Sequence, residues 1–333
     1  MYDAVTLILV LGVVVLLGLA TAVAYALRRR VDSGIDPAIV ETFWVRIRAW
    51  WLLCSVLAGA YLFGHTATVV LFGLISFWAL REFITLTPTR PGDHRTLFWV
   101  FFVGTPLQFV LVGIGKYWLY SIVIPVYAFL LIPAQIAMSG DPKRFLERSA
   151  KIMAGLLICV YCLAYAPALL TLPLPPPGDL ADVNPATAAS IAGLRLLFFF
   201  VLMVQMSDVL QYAWAQLPSK HVIVPAINPN KTWEGLLGGT VSTALLGMTL
   251  WWATPFPYWL AAVMSAVISL AGFAGSLTMS AIKRDRGVKD YGTLVEGHGG
   301  VLDRIDSLCF AAPVFFHFTL CYLVVIGVVK FAF

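Results

Sequence analysis

Residues 4–27 form an apolar run without a single charged residue, followed at once by Arg28-Arg29-Arg30. Roughly 20 apolar residues cross a bilayer core, so this run alone ties the chain to a membrane, and similar runs recur along its length. The first run is a poor secretory leader, because no positive residue precedes it and three arginines follow it. With 60% hydrophobic and 12% charged residues, an ordinary soluble domain is excluded. The apolar periods predict spans at 4–27, 50–63, 66–86, about 97–115, 117–138, one ending at 172, and then 190–217, 234–254, 258–282 and 306–329. The fold expected is an all-α polytopic integral membrane protein, about ten transmembrane helices in one bundle, with both termini outside.

Charge fixes the orientation. Segments 28–48, 81–95, 139–151, 216–233 and 280–306 hold 19 of the 22 lysines and arginines. Short loops with such an excess stay in the cytoplasm. The net charge of +5 is therefore topological and does not point to nucleic acid. The loop at 173–185 carries Asp179 and Asp182 but no basic residue, which suits the outer face. Arg81-Glu82 reads most simply as a snorkelling arginine with a partner on the helix surface. Cys159-x-x-Cys162 has no second pair or histidine beside it and reads as packing residues.

Two stretches carry chemistry. Within one predicted span Gln205, Asp208, Gln211 or Tyr212, and Gln216 recur at helical spacing as a polar stripe, and an intramembrane carboxylate faces a partner or a watery cavity by default. After it comes Asn228-Pro-Asn-Lys-Thr-Trp-Glu-Gly, in which Lys231 and Thr232 can hold phosphate oxygens and Glu234 can cap the next helix. The second stretch is 280–306, where Lys283, Arg284, Arg286, Lys289 and Arg304 alternate with Asp285, Asp290, Glu296, Asp303 and Asp306. Asp303-x-x-Asp306 puts two carboxylates on one face of a helix start, near enough to share a cation. Gly297, Gly299 and Gly300, around His298, free backbone amides to close on an anion. These groups together describe a site for a metal-bound polyphosphate.

The run S-x-x-K-R-x4-K-D-x-G-x4-G-H-G-G-x-x-D-R-x-D closely resembles the signature of the phosphatidate cytidylyltransferases, or CDP-diacylglycerol synthases. The resemblance extends to Asp208 and Tyr212 and to Pro229, Lys231, Thr232, Glu234 and Gly235, with Asn228 where the family has serine. It implies transfer of a cytidylyl group from CTP to a lipid phosphate, with Mg2+ or another divalent cation. Asp208, Asp303 and Asp306 would be its ligands. Lys231, Lys283, Arg284, Lys289, His298 and Arg304 would serve the reacting phosphates, and Asn228, Thr232, Glu234, Asp290, Gly299 and Gly300 the nucleotide. It also implies a multi-pass protein of the cell (inner) membrane with a cytoplasmic site, and a homodimer. The chain then divides into N-terminal helices (1–205), a nucleotide and metal region (206–306) and a last helix (307–333) within one membrane domain. The family usually has Gly-Asp-Leu-x-Glu-Ser where this chain has Gly275-Ser276-Leu277-Thr278-Met279-Ser280, so a carboxylate that would serve a second cation is absent at Ser276. Two other readings use the same residues: a transporter of an anionic solute, and a CTP-dependent enzyme acting on a different lipid. No inverted repeat of the transporter kind is visible in the sequence.

The ten-helix layout makes a direct forecast. Cysteines placed at Asp179 and at Asp285 in a cysteine-free background should react with an impermeant reagent from opposite faces; labelling of both in intact cells would overturn it.

Overall fold

The computed structural model describes residues 64–87, 89–176, 184–217, 221–292 and 299–329, with isolated helical positions between 11 and 58. In chain order the long helices are α1 (His65–Leu86), α2 (Pro91–Gly113), α3 (Tyr117–Ala137), α4 (Phe145–Thr171) and α5 (Pro185–Trp214). A small antiparallel hairpin follows, β1 (Val222–Val224) and β2 (Asn228–Thr232). The chain closes with α6 (Trp233–Thr249), α7 (Tyr258–Asp285) and α8 (Leu302–Val325). Seven of these helices, all but α6, are long and apolar enough to cross a bilayer. α6 has 17 residues, about 25 Å at 1.5 Å per residue. The expected count of ten is not reached among the described residues; the spans expected at 4–27 and 50–63 fall largely outside them, as does the connector after the first. The hairpin is a departure from the purely helical expectation, and Ile227 and Asn228 at its turn fold it back toward α7.

α4 is the most enclosed span. α5, α6, α7 and α8 pack in succession, and α8 also lies against α4. Phe315 of α8 stacks on Phe200 of α5, ring centroids 5.3 Å apart, while Phe316 meets Tyr165 of α4 at 5.1 Å. Cys159 is fully buried in this core and Cys162 half-buried, both as free thiols, in keeping with a packing role.

Small residues set the helix spacing in the half that carries the site. α6 buries Gly235, Gly239, Thr243 and Gly247, one every four residues, and exposes Leu237, Val241 and Leu245 on the opposite side. In a membrane the apolar face meets lipid and the small face lets a neighbouring backbone approach. A methyl on Gly239 would sit 2.5 Å from Gln211 Cγ on α5, and one on Gly275 of α7 would sit 2.8 Å from the Asp306 carbonyl oxygen on α8.

The first turns of α2 and α4 are joined by an ion pair removed from water. Arg148 Nη2 lies 2.6 Å from Asp93 Oδ1, with the two side chains only 4% and 1% exposed. Arg148 Nη1 also donates to the carbonyls of Asp141 and Lys143. In the loop between α3 and α4, the Arg90 guanidinium and the Lys143 amide hold the Asp141 carboxyl below its ordinary range. Removing one member of a buried pair strands the other charge. Arg148→Met is therefore expected to destabilise the protein by about 3 kcal/mol, read as a lower thermal midpoint in detergent, whereas Arg90→Met, at an exposed pair, should shift it little. Equal midpoints for the two variants would refute this ranking.

Candidate active site

The turn leading into α8 is built around two carboxylates. Glu82, near the C-terminal end of α1 and 5% exposed, accepts the Val301 amide at 3.0 Å and the Leu302 amide at 2.8 Å, one on each oxygen. The first amides of a helix have no partner within it, so α1 supplies from a distance what a local cap usually supplies. Asp303 closes the turn from inside: Oδ2 accepts the amides of Tyr291 (2.8 Å) and Gly300 (2.9 Å), and Oδ1 accepts Lys283 Nζ at 2.8 Å. Gly299 has φ +79, a left-handed conformation that glycine adopts freely. A methyl on Gly300 would meet Glu82 Oε2 at 2.3 Å. Of the glycine amides expected to close on a bound anion, that of Gly300 closes on the protein's own Asp303 carboxylate.

One turn further on, Asp306 faces Asp208 of α5. Ser307 lies between them: its hydroxyl donates to Asp208 Oδ1 at 3.1 Å and lies 3.4 Å from Asp306 Oδ1, while its amide donates to the same Asp306 oxygen at 2.7 Å. Both aspartates are half-buried, in a region between helices rather than on the lipid-facing surface. The charges of Lys231 and Arg304 bear on Asp208, and those of Lys231 and Lys283 on Asp306. Lys231 Nζ reaches Gln211 Oε1 at 3.4 Å and sits 4.9 Å from the centre of the Phe273 ring.

Two carboxylates meeting at one hydroxyl, without thiol or imidazole, form a hard oxygen donor set that suits Mg2+ or a similar ion. Among the described residues no group of three or more acidic, histidine or cysteine side chains is gathered for a metal. The expected trio is therefore divided: Asp208 and Asp306 come together, and Asp303 spends both oxygens on Lys283 and backbone amides. The i, i+3 spacing did put both aspartates in the first turns of α8, but the glycine turn wraps back over Asp303 and takes it up.

The other expected residues divide similarly. Thr232, not Glu234, caps α6, its hydroxyl accepting the Gly235 amide at 3.0 Å. Glu234 instead accepts the His221 amide and ring Nδ1, tying the start of the hairpin to α6. Asn228 donates to Ser280 Oγ at 3.2 Å, which links β2 to α7. Arg284 Nε donates to the Ile227 carbonyl, and Arg284, Lys289 and Asp290 are exposed at and just beyond the C-terminal end of α7. His298 lies outside the described residues. Of the polar stripe on α5, Gln211 points inward while Tyr212 is 52% exposed. Ser276 is half-buried beside Gly275, and Met279 is fully buried with Tyr291 Oη donating to its carbonyl at 2.9 Å.

Sequence reasoning missed Glu82, which is buried on the turn and not a surface partner of Arg81; Arg81 lies instead over the Trp78 ring, 5.0 Å from its centre. It also missed Ser307, Ser207, Ser269 and Thr240. Their only sequence signal is a hydroxyl in a span, which is commonplace. Glu82 had a stronger one, an acid at a span end where positive residues prevail.

The sequence model of the Cytidylyltransferase family matches residues 44–322 of this chain. Uncharacterized protein YnbB of Escherichia coli (strain K12) is 37% identical over 279 residues, covering 82% of this chain and 86% of that one. A phosphatidate cytidylyltransferase of Staphylococcus saprophyticus is 37% identical over 123 residues, and one of Mycobacterium leprae 41% over 126. These two alignments cover 36% and 37% of this chain and only 47% and 39% of the relatives.

The clamp at Glu82 can be tested by itself. Glu82→Gln leaves one of the two amides facing an NH2 group, so the protein should lose about 2 kcal/mol. Amide hydrogen exchange at Val301 and Leu302 should speed up about tenfold or more, while α2 and α3 are unaffected. Unchanged protection at these two amides would show that Glu82 does not hold the turn.

Proposed function

The chain belongs to the cytidylyltransferase family, a family of nucleotidyltransferases, and we propose that it moves the cytidylyl group of CTP onto a lipid phosphate, phosphatidate first among them. The observation that carries this reading is the pair Asp208 and Asp306, joined through Ser307, with Lys231 acting on both charges and Arg304 on that of Asp208. Such an arrangement needs polyanionic partners to make sense of it.

In this reaction an oxygen of the lipid phosphate attacks the α-phosphorus of CTP. A new P–O bond forms, the bond to the β-phosphate breaks, and pyrophosphate leaves with that electron pair. The attacking phosphate is already anionic near neutral pH, so no general base is required. The obstacle is the approach of two polyanions, and fixed positive charge meets it by positioning and stabilisation. Lys231 and Arg304 would hold the reacting phosphates. Arg284 and Lys289, exposed at and just beyond the C-terminal end of α7, would receive the nucleotide from solution. Lys283, already bound to Asp303, would keep the turn closed. Asp208 and Asp306 would hold a divalent cation such as Mg2+, which when bound neutralises phosphate charge. The position of the basic segments favours a site open to the cytoplasm, where CTP is found, in a cell-membrane protein.

The test is purified protein with CTP, Mg2+ and phosphatidate, following pyrophosphate and CDP-lipid together. Asp208→Asn and Asp306→Asn should each lower turnover by about 100-fold or more, the scale for loss of one key electrostatic group, with thermal midpoints kept. Asp303→Asn should lower the midpoint as well as turnover, since it breaks the turn. Near-normal turnover in Asp306→Asn would remove the carboxylate pair from the chemistry. Solute uptake into sealed vesicles without CTP turnover would remove the enzyme reading.

A further inference from the structure

Gln211 is buried in the last turn of α5, and its amide has one orientation available. Nε2 donates to Ser207 Oγ at 2.9 Å, to Ser269 Oγ at 3.1 Å and, at 3.3 Å, to the Ser269 carbonyl. The carbonyl can only accept, so a flipped amide would set oxygen against oxygen there. The hydroxyls are themselves tied down: Ser207 donates to Ser269 at 2.8 Å, and Thr240 lies 3.1 Å from Ser269. Three helices, α5, α6 and α7, contribute to this cluster. The backbone of Gln211 is fixed too, since the small face of α6 presses on it at Gly235 and Gly239. Gln211 is 4% exposed.

What this scaffold presents is one acceptor, Oε1, and Lys231 Nζ points at it. Lys231 is the last residue but one of β2, and its flexible stem would otherwise allow the ammonium many positions. The Phe273 face, 4.9 Å away, attracts the same cation from another side. The opposite charges of Asp208 and Asp306 act on it as well.

We infer that Gln211 is a positioning residue: it holds the Lys231 ammonium beside the Asp208 and Asp306 carboxylates, ready for the phosphate of the incoming substrate. This rests on the cytidylyltransferase reading above. The amide is neutral, so it locates the cation without forming a rival ion pair, and a phosphate can draw Lys231 away at little cost. A carboxylate at this place would compete with the substrate.

The test is a double-mutant cycle, because a residue that acts through Lys231 must lose its effect when Lys231 is gone. Gln211→Met keeps length and packing volume but removes the acceptor; Lys231→Met removes the cation. Single-turnover rates with enzyme in excess keep slow variants measurable. Gln211→Met should lower the rate about tenfold in the otherwise unaltered protein, a hydrogen bond to a charged group being the interaction lost. In the Lys231→Met background it should lower the rate less than about twofold. Ser269→Ala, which frees the amide to turn, should give a smaller loss of the same kind and serves as the second variant if Gln211→Met does not fold. Equal losses in both backgrounds, or no loss in the first, would overturn the inference. If the unaltered protein makes no CDP-lipid from CTP and phosphatidate, it is the functional reading that fails; the cycle is then read in binding of CTP, where the same comparison holds.

Discussion

A carboxylate removed from water must be satisfied by whatever the fold can bring to it, and Glu82 meets that demand by reaching across the bundle to two orphan amides of α8. The rest of the site follows from this contact. It fixes the start of α8, and with it the turn on which Asp303 closes and the next turn, where Asp306 meets Asp208. Residues 82 and 301–302 are remote in sequence, so this contact ties the N-terminal helices to the C-terminal ones at the candidate site.

The helical membrane fold was legible because hydrocarbon leaves few choices, and apolar runs become helices. The site was legible to the extent that it consists of local motifs. Lys231, Asp208 and Asp306 could be named from sequence, and they are brought together. What could not be read is how donors and acceptors are shared out among them. Nothing in Asp303-x-x-Asp306 says that one aspartate serves the turn and the other faces α5, since that depends on where Gly299 and Gly300 direct the backbone. Likewise Thr232 and Glu234 each had capping chemistry, and the hairpin's return to α6 decided that threonine caps and glutamate holds His221. Glu82 was read as a surface partner because its true partners lie more than two hundred residues away.

The departure at Gly275-Ser276-Leu277-Thr278-Met279-Ser280 also takes on a physical sense. Met279 is fully buried in the core, where its carbonyl and sulfur both lie within reach of the Tyr291 hydroxyl. Ser276 is on the half-exposed side of α7, beside the close approach of Gly275 to the Asp306 carbonyl. The two positions therefore face different surroundings, although both hold acids in the family pattern this chain resembles.

The shortness of α6 has a consequence for the lipid around it. At about 25 Å it falls a few ångströms short of a hydrocarbon layer of roughly 30 Å. Lipids along Leu237, Val241 and Leu245 must then compress their chains, or the helix must be met by headgroups drawn inward. α6 begins two residues after Lys231, so a dimple in the leaflet at that end of the helix would lower lipid phosphates toward the depth of that lysine. In the reaction proposed above, a helix too short for its solvent would thus shorten the climb of the lipid phosphate out of the bilayer.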